Sequence, residues 1–414
     1  MSNTRLLSQI LRLKGIKITC FGFQNRNKEL HLGVKPYKNG CRCPHCGRRG
    51  RIIRQLPGLR RWQDLTLMGL KVWFWYAPKE IHCSTHGRVQ EEIPWASTHA
   101  RITYRLEWRL CALCQIMTQK AAAEILKMPP STLSDTLHRI IHRVRDGHRI
   151  RGVKTLGVDE ISFLKGRKFA TLVYDLDRAR VLWVGRGKGR ETLDRFFNEC
   201  LSKGQKARIR WASCDMSRAY IEAIRHHCPN ATLVIDRFHV VKALNQAVDE
   251  VRKEQWRALD KKGRQAIKGL RWLLAMHSDH RSKGHTRFLN RLANANRRIH
   301  RAWVLKDEFE HFWNYSYRGA AEKFLKRWMT AALRSRIPSL RKFVGTLRNH
   351  FDNILAFIDR NLTNAVAEGL NRIIKIVKNR ASGYRNLDHF ADIIYLTVGD
   401  LDIPAQIPSP LRTL

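Results

Sequence analysis

Three apolar runs in this chain each stop on an aspartate, and a further acid sits on a helical stretch far downstream. Residues 154–163 (KTLGVDEISF) bring Asp159 and Glu160 directly after Gly157 and Val158, so a short buried strand presents a carboxylate near its tip. Residues 208–216 (RIRWASCDM) end their run at Asp215, and residues 231–240 (ATLVIDRFHV) end theirs at Asp236, with His239 three positions on. Residues 363–375 (TNAVAEGLNRIIK) put Glu368 on a helix whose apolar stripe reads Val366, Leu370, Ile373 and Val377. A lone aspartate after a strand is usually a turn or cap residue. Several on separate elements are what a hard divalent cation needs, because such ions take oxygen ligands and leave room for a phosphate oxygen.

Charge narrows the partner. Of 414 residues, 78 are Lys or Arg and 35 are Asp or Glu, a formal net charge of +43. An excess of this size repels itself unless a polyanion neutralises it, which points to nucleic acid. No apolar run approaches the ~18–20 residues of a membrane span. The first fifteen residues lack the continuous apolar core of a secretory signal, and the ten Cys follow no disulfide framework, so a reducing cytoplasm is expected. At 43% hydrophobic residues and this length, several globular domains are expected.

Near the N-terminus, residues 16–23 and 30–37 read as strands across a polar turn, and residues 65–76 as a hairpin about Met68 and Gly69. Around that hairpin lie two knuckles. Cys43 and Cys46 enclose two residues before Gly47, and Cys83 and His86 enclose two before Gly87. This spacing lets two side chains reach one tetrahedral Zn2+, and the four residues are the expected ligands of a structural, zinc-ribbon-like site. Cys41, His45 and His82 lie close enough in sequence to compete.

Residues 104–117, 118–128 and 131–145 read as three helices in a helix-turn-helix arrangement. Pro129 and Pro130 end the second, and Ser131 and Thr132 offer cap hydroxyls to the third. Its stripe of Leu133, Leu137, Ile140, Ile141 and Val144 leaves Thr132, Thr136, Arg139 and Arg143 on the outer face, as a recognition helix would. Beyond residue 154, strands at 155–163, 168–175, 179–184, 208–214 and 231–235 alternate late with helices at 191–201 and 217–227, the pattern of a mixed α/β sheet. Residues 241–359 carry no strand pattern and read as a basic helical insertion between Asp236 and Glu368.

The motifs CPHCG, CSTHG, GVDEIS, CDMSRAY, VIDRFHVVK and TNAVAEGLNRIIKIVKNRASGYRNLDHF together resemble the ISL3 family of insertion-sequence transposases over nearly the whole length. The resemblance implies a DDE enzyme with an RNase H-like catalytic core, cutting and joining DNA with two Mg2+ ions, or Mn2+ in their place. It implies Asp159 as first acid and Glu368 as last, with Asp215 or Asp236 between them. In RNase H-like sheets the second acid ends the fourth strand, beside the first, and the strand count puts Asp215 there; Asp236 and His239 then resemble a two-residue-spaced element that related families carry after the second acid. The family usually has Cys where His86 stands. Glu160 is expected on the opposite strand face from Asp159, and Asn371, Arg372 and Lys375 on an outward face that holds phosphates. The implied partners are double-stranded DNA, as terminal inverted repeats and as target, and a second copy of the chain on paired ends. The expected domains are a zinc-ribbon-like domain at 1–98, a helix-turn-helix at 99–150, the catalytic core at 151–240, the helical insertion at 241–359 and the closing helix and tail at 360–414. The competing reading is a non-catalytic zinc and helix-turn-helix DNA-binding regulator derived from such an enzyme.

Overall fold

The computed structural model describes residues 3–36, 41–147, 150–164, 168–360 and 365–403. Thr363 and Asn364, residues 148–149 and the residues from 404 on lie outside these. Among the described residues no helix is long and apolar enough to cross a membrane. Two compact units divide the chain, one of Met1–Arg149 with Ile376–Leu414, the other of Ile150–Lys375.

The first unit opens with α1 (Asn3–Ile10), followed by β1 (Ile16–Gln24), β2 (Glu29–Pro36), β3 (Arg51–Gln55), β4 (Arg60–Leu67), β5 (Leu70–Tyr76), β6 (Lys79–Cys83) and β7 (Gly87–Gln90). These make two sheets, β1-β2-β5-β4 and β3-β6-β7. The hairpin about Met68 and Gly69 forms, both residues taking positive φ as a two-residue turn requires. It does not join the two knuckles as the ribbon expectation had it. β5 instead pairs in parallel with β2, and the knuckles belong to the smaller sheet. The reason is packing: Val72 and Phe74 are fully buried with Leu30, Leu32 and Trp62 in one core, against which Trp95 sits edge-on to Trp62.

Three helices follow, α2 (Tyr104–Ile116), α3 (Gln119–Ile125) and α4 (Pro130–Gly147). Thr103 and Thr118 cap the first two, accepting from the N–H groups of Leu106 and Ala121. α4 starts one residue earlier than expected, on Pro130, because a proline lacks the N–H that a first helical turn leaves unbonded anyway. Ser131 and Thr132 therefore lie inside the first turn rather than capping it.

The second unit holds β8 (Thr155–Leu164), β9 (Lys168–Asp175), β10 (Arg180–Arg186), α5 (Arg190–Cys200), α6 (Lys203–Ala207), β11 (Trp211–Cys214), α7 (Arg218–His227) and β12 (Thr232–Ile235). The sheet order is β10-β9-β8-β11-β12, with the first three strands antiparallel and the last two parallel to β8. Helices run from there without a strand among the described residues: α8 (Arg237–Ala258), α9 (Lys261–Ala266), α10 (Leu270–Ala275), α11 (Lys283–Ala295), α12 (Arg297–Glu310), α13 (Arg318–Arg334), α14 (Pro338–Asn349) and α15 (Phe351–Arg360). One continuous apolar core runs from Leu156 and Val158 in the sheet to Phe309, Trp328 and Phe357 in the helical block. The block is thus built onto the sheet, with α15 packed along β12. α16 (Ala365–Arg380) carries Glu368, and α17 (Leu387–Val398) is largely apolar.

Candidate functional site

The sheet register levels the aspartates. Trp211, Ala212 and Ser213 pair with Thr155, Leu156 and Gly157, so the residue after Cys214, Asp215, stands at the height of Asp159 on the adjacent strand. Cys214 pairs with Ile235, and the Asp236 N–H donates to the Cys214 carbonyl at 3.0 Å, which levels Asp236 with them one strand further out. Gly157 suits its place because Leu176 fills the space a Cβ would need, at 2.8 Å.

Asp159 is held on both oxygens. Oδ1 accepts from the Glu160 N–H at 2.7 Å, and Oδ2 accepts from the Asn371 side-chain amide at 2.6 Å. The Asn371 oxygen in turn accepts from the fully buried Tyr174 hydroxyl at 2.6 Å. Asn371 therefore does not face outward as expected. The buried stripe of α16 is Ala367, Leu370, Ile374 and Val377, which rotates Asn371 toward the sheet and leaves Glu368, Arg372 and Lys375 exposed. Tyr174 and this inward role of Asn371 are the site residues that sequence reasoning missed.

Burial, and beyond it the charge of Asp236, pushes Asp159 above the usual carboxylate range, while His239 and the Asn371 amide pull the other way. Glu368 is raised by the same two causes and also by Asp159 itself. Asp215 exerts its field elsewhere. It acts on Glu160, which burial raises and Lys188 lowers, and on Tyr220, whose hydroxyl lies 2.9 Å from Thr171 Oγ1. Register thus makes Asp215 the neighbour of Asp159, whereas charge coupling singles out Asp236. Asp236 is buried, caps α8 by accepting from the Phe238 N–H at 3.0 Å, and faces His239 Nε2 at 3.7 Å. Asp215 is half-buried and accepts from the Ser217 N–H at 2.9 Å.

In the first unit, Cys43, Cys46, Cys83 and His86 come together with all four ligand atoms within 4.8 Å. Cys43 Sγ lies 3.6 Å from His86 Nδ1, Cys46 Sγ 3.6 Å from Cys83 Sγ, and Cys83 Sγ 3.7 Å from His86 Nδ1. Tetrahedral zinc with bonds of about 2.0–2.3 Å has ligand edges of about 3.3–3.8 Å, so the four fit. Gly47 and Gly87 both take φ of +67°, the left-handed turn that aims the two donors of each knuckle inward. Backbone N–H groups at Thr85 and His86, with the His86 ring, bring the Cys83 thiol down to about 6. Cys41 stays outside the four, its thiol pushed up to about 11 by burial and by Glu91.

The outer face of α4 differs from expectation. Thr132 is exposed, but Thr136 is buried. Arg143 donates to Glu107 at 2.7 Å and Arg139 at 3.5 Å, both reaching back to a carboxylate of α2 that is 0% exposed. A buried charge must be paired, and α2 supplies one on its inner side.

Comparison with known proteins adds an independent line. A family model described as a transposase, of the ISL3 DDE type, matches residues 156–394. The transposase for insertion sequence element IS1001 of Bordetella parapertussis is 31% identical over 374 residues, covering 89% of this chain and 91% of that protein. The transposase for insertion sequence element IS1557 of Mycobacterium tuberculosis is 26% identical over 382 residues, covering 86% and 85%. A chain of the Drosophila P element transposase strand transfer complex aligns with a TM-score of 0.41 at 10% identity, covering 74% of this chain and 94% of that one.

Proposed function

The chain belongs to the ISL3 family of insertion-sequence transposases, and on that premise we propose that it binds the terminal inverted repeats of its element, cuts DNA there and transfers the freed strand to target DNA. The catalytic centre is an RNase H-like core in which Asp159, Asp215 and Glu368 hold divalent metal. The observation that carries this reading is geometric: the strand register sets Asp215 level with Asp159, and Asn371, one turn on from Glu368 on the same helix, bonds Asp159 Oδ2. The raised carboxyls of Asp159 and Glu368 agree with it, since burial and nearby negative charge favour a bound cation.

Two Mg2+ ions, or Mn2+, would supply activation of water or a 3′-hydroxyl and neutralise the leaving oxygen. The chain's own residues do the rest. Asn371 fixes the Asp159 carboxylate against Tyr174, so its orientation does not depend on the ligand. Arg372 and Lys375, one and two turns on from Glu368 and exposed, hold the phosphate backbone next to the cut. Asp236 and His239, 3.7 Å apart, set the field at Asp159, the first raising its carboxyl and the second lowering it.

End recognition falls to the first unit, with zinc on Cys43, Cys46, Cys83 and His86 fixing the small sheet, and Thr132 exposed at the start of α4 as the base reader. Arg139 and Arg143 shape that helix through Glu107 before they can reach phosphate. Two copies act on paired ends.

The test uses the full chain with Mg2+ and duplex carrying the terminal repeats, which the DNA flanking its gene supplies. Cleavage at the repeat ends by the wild type, with Glu368→Gln binding but not cutting, is expected. Binding without cleavage by the wild type would favour a non-catalytic regulator.

A further inference from the structure

We propose that His138, His142 and Asp392 form a second transition-metal site, distinct from the cysteine cluster, in which Zn2+ fastens α17 to α4. Both helices lie in the first unit, and α17 packs along α4. Ligand atoms of the three side chains all lie within 4.8 Å of one another. His138 Nδ1 is 2.9 Å from Asp392 Oδ2, and the two imidazole centroids are 4.1 Å apart.

Three features make this a donor set rather than a chance cluster. His138 and His142 are four residues apart on one helix, which stacks both rings on one face and lets them chelate one ion without backbone change. Asp392 is 2% exposed on a helix otherwise buried through Phe390, Ile393, Ile394 and Leu396. A carboxylate in such surroundings needs a cation, and the groups whose charge acts on it are the three imidazoles of His138, His142 and His389. Imidazole with one carboxylate is a ligand set that zinc accepts readily. His142 is exposed, so its ring is free to close the gap to the ligand edge of about 3.3 Å that zinc–nitrogen bonds of about 2.0–2.1 Å require. His389, three residues before Asp392 on α17, or a water completes four-coordination.

The consequence is a metal clip at the chain's far end. α17 also touches α2, where the Gln115 amide donates to the Leu396 carbonyl at 2.9 Å, and the Arg380 guanidinium donates to the Gln115 carbonyl at 2.9 Å. Zinc at His138, His142 and Asp392 would lock this return segment onto the helices that precede residue 148.

The test is zinc content by elemental analysis on the full chain purified without chelator, for the wild type, His142→Ala and Cys83→Ser. The readout is the difference between wild type and His142→Ala, so it does not depend on whether the cysteine cluster is filled. Loss of one equivalent in His142→Ala is expected, with a circular dichroism spectrum unchanged because His142 is exposed. Cobalt substitution separates the sites: the intense thiolate charge-transfer band should vanish in Cys83→Ser and persist in His142→Ala, which should lose only weak visible bands. Equal zinc and equal cobalt spectra in wild type and His142→Ala would overturn the proposal and leave His138 as the hydrogen-bond partner of Asp392. Disappearance of all zinc in Cys83→Ser, with its circular dichroism spectrum intact, would overturn it as well.

Discussion

Asn371 donates its side-chain amide to Asp159 Oδ2 across 2.6 Å while its oxygen accepts from Tyr174 at 2.6 Å. One residue therefore ties the strand carrying the first acid to the helix carrying the last, with Glu368 one turn before it. Replacing Asn371 with Ala leaves the Tyr174 hydroxyl buried without its acceptor, a cost of about 1–3 kcal/mol. The expected outcome is a lower melting temperature and a fall in cleavage rate with little change in DNA affinity. Asn371→Ala that cleaves at the wild-type rate would remove Asn371 from the positioning of Asp159.

Neutralising an acid at the site should stabilise the metal-free protein while removing activity. The folded pKa values of Asp159 and Glu368 lie above their ordinary 3.8 and 4.5, so the fold favours their protonated forms. That contribution is fully present below the ordinary values and is lost as pH rises through the folded ones. At neutral pH both carboxylates therefore destabilise the chain unless a cation is bound. Glu368→Gln should melt higher than the wild type in EDTA at pH 7, whereas Asp159→Asn should gain less, because its amide accepts at only one of the two positions held by the Glu160 N–H and Asn371. Mg2+ or Mn2+ should raise the melting temperature of the wild type alone, and this gain should shrink as pH falls toward the ordinary carboxylate values. Calorimetry across pH, with and without metal, reads both effects.

The arginines of α4 and the basic residues of α16 should respond differently to substitution. Arg143→Ala leaves Glu107 buried with a weakened partner, which costs roughly 1–3 kcal/mol of stability. Arg372→Ala and Lys375→Ala touch no described ion pair and should leave melting unchanged. Each should lower the slope of log affinity against log salt by about one. Binding of the wild type to nonspecific duplex should itself weaken by about 10³–10⁵ between ~50 and ~200 mM salt if six to ten phosphates are neutralised. Fluorescence anisotropy over a salt series measures all of these slopes.

The sheet was readable in the sequence because its strands are short, continuously apolar and bounded by Gly, Asp or Pro, the signature of strands buried on both faces. The cysteine and histidine knuckles were readable because ligand spacing is a local property. What was not legible depends on helix phase and on distant partners. On α16 a one-residue error in phase, taking Val366 and Ile373 for the stripe instead of Ala367 and Ile374, turned Asn371 outward, since alanine is a weak hydrophobic marker. On α4 the outer arginines gave no sign that Glu107, on another helix, would claim them. The parallel pairing of β5 with β2 is non-local, and so is the grouping of Ile376–Leu414 with the N-terminal segment; no periodicity along the chain encodes either.

The most direct measurement is Mg2+-dependent cleavage of repeat-end duplex by Asp215→Asn and Asp236→Asn side by side, with DNA binding and melting followed on the same samples. Asp215→Asn should bind the ends and keep its fold but cleave nothing detectable. Asp236→Asn should keep its cap on α8, because an asparagine oxygen accepts from the Phe238 N–H as an aspartate does, and should retain measurable cleavage. The opposite pattern, with Asp215→Asn cleaving normally and Asp236→Asn inert though folded, would contradict the assignment of Asp159, Asp215 and Glu368 as the metal-binding triad.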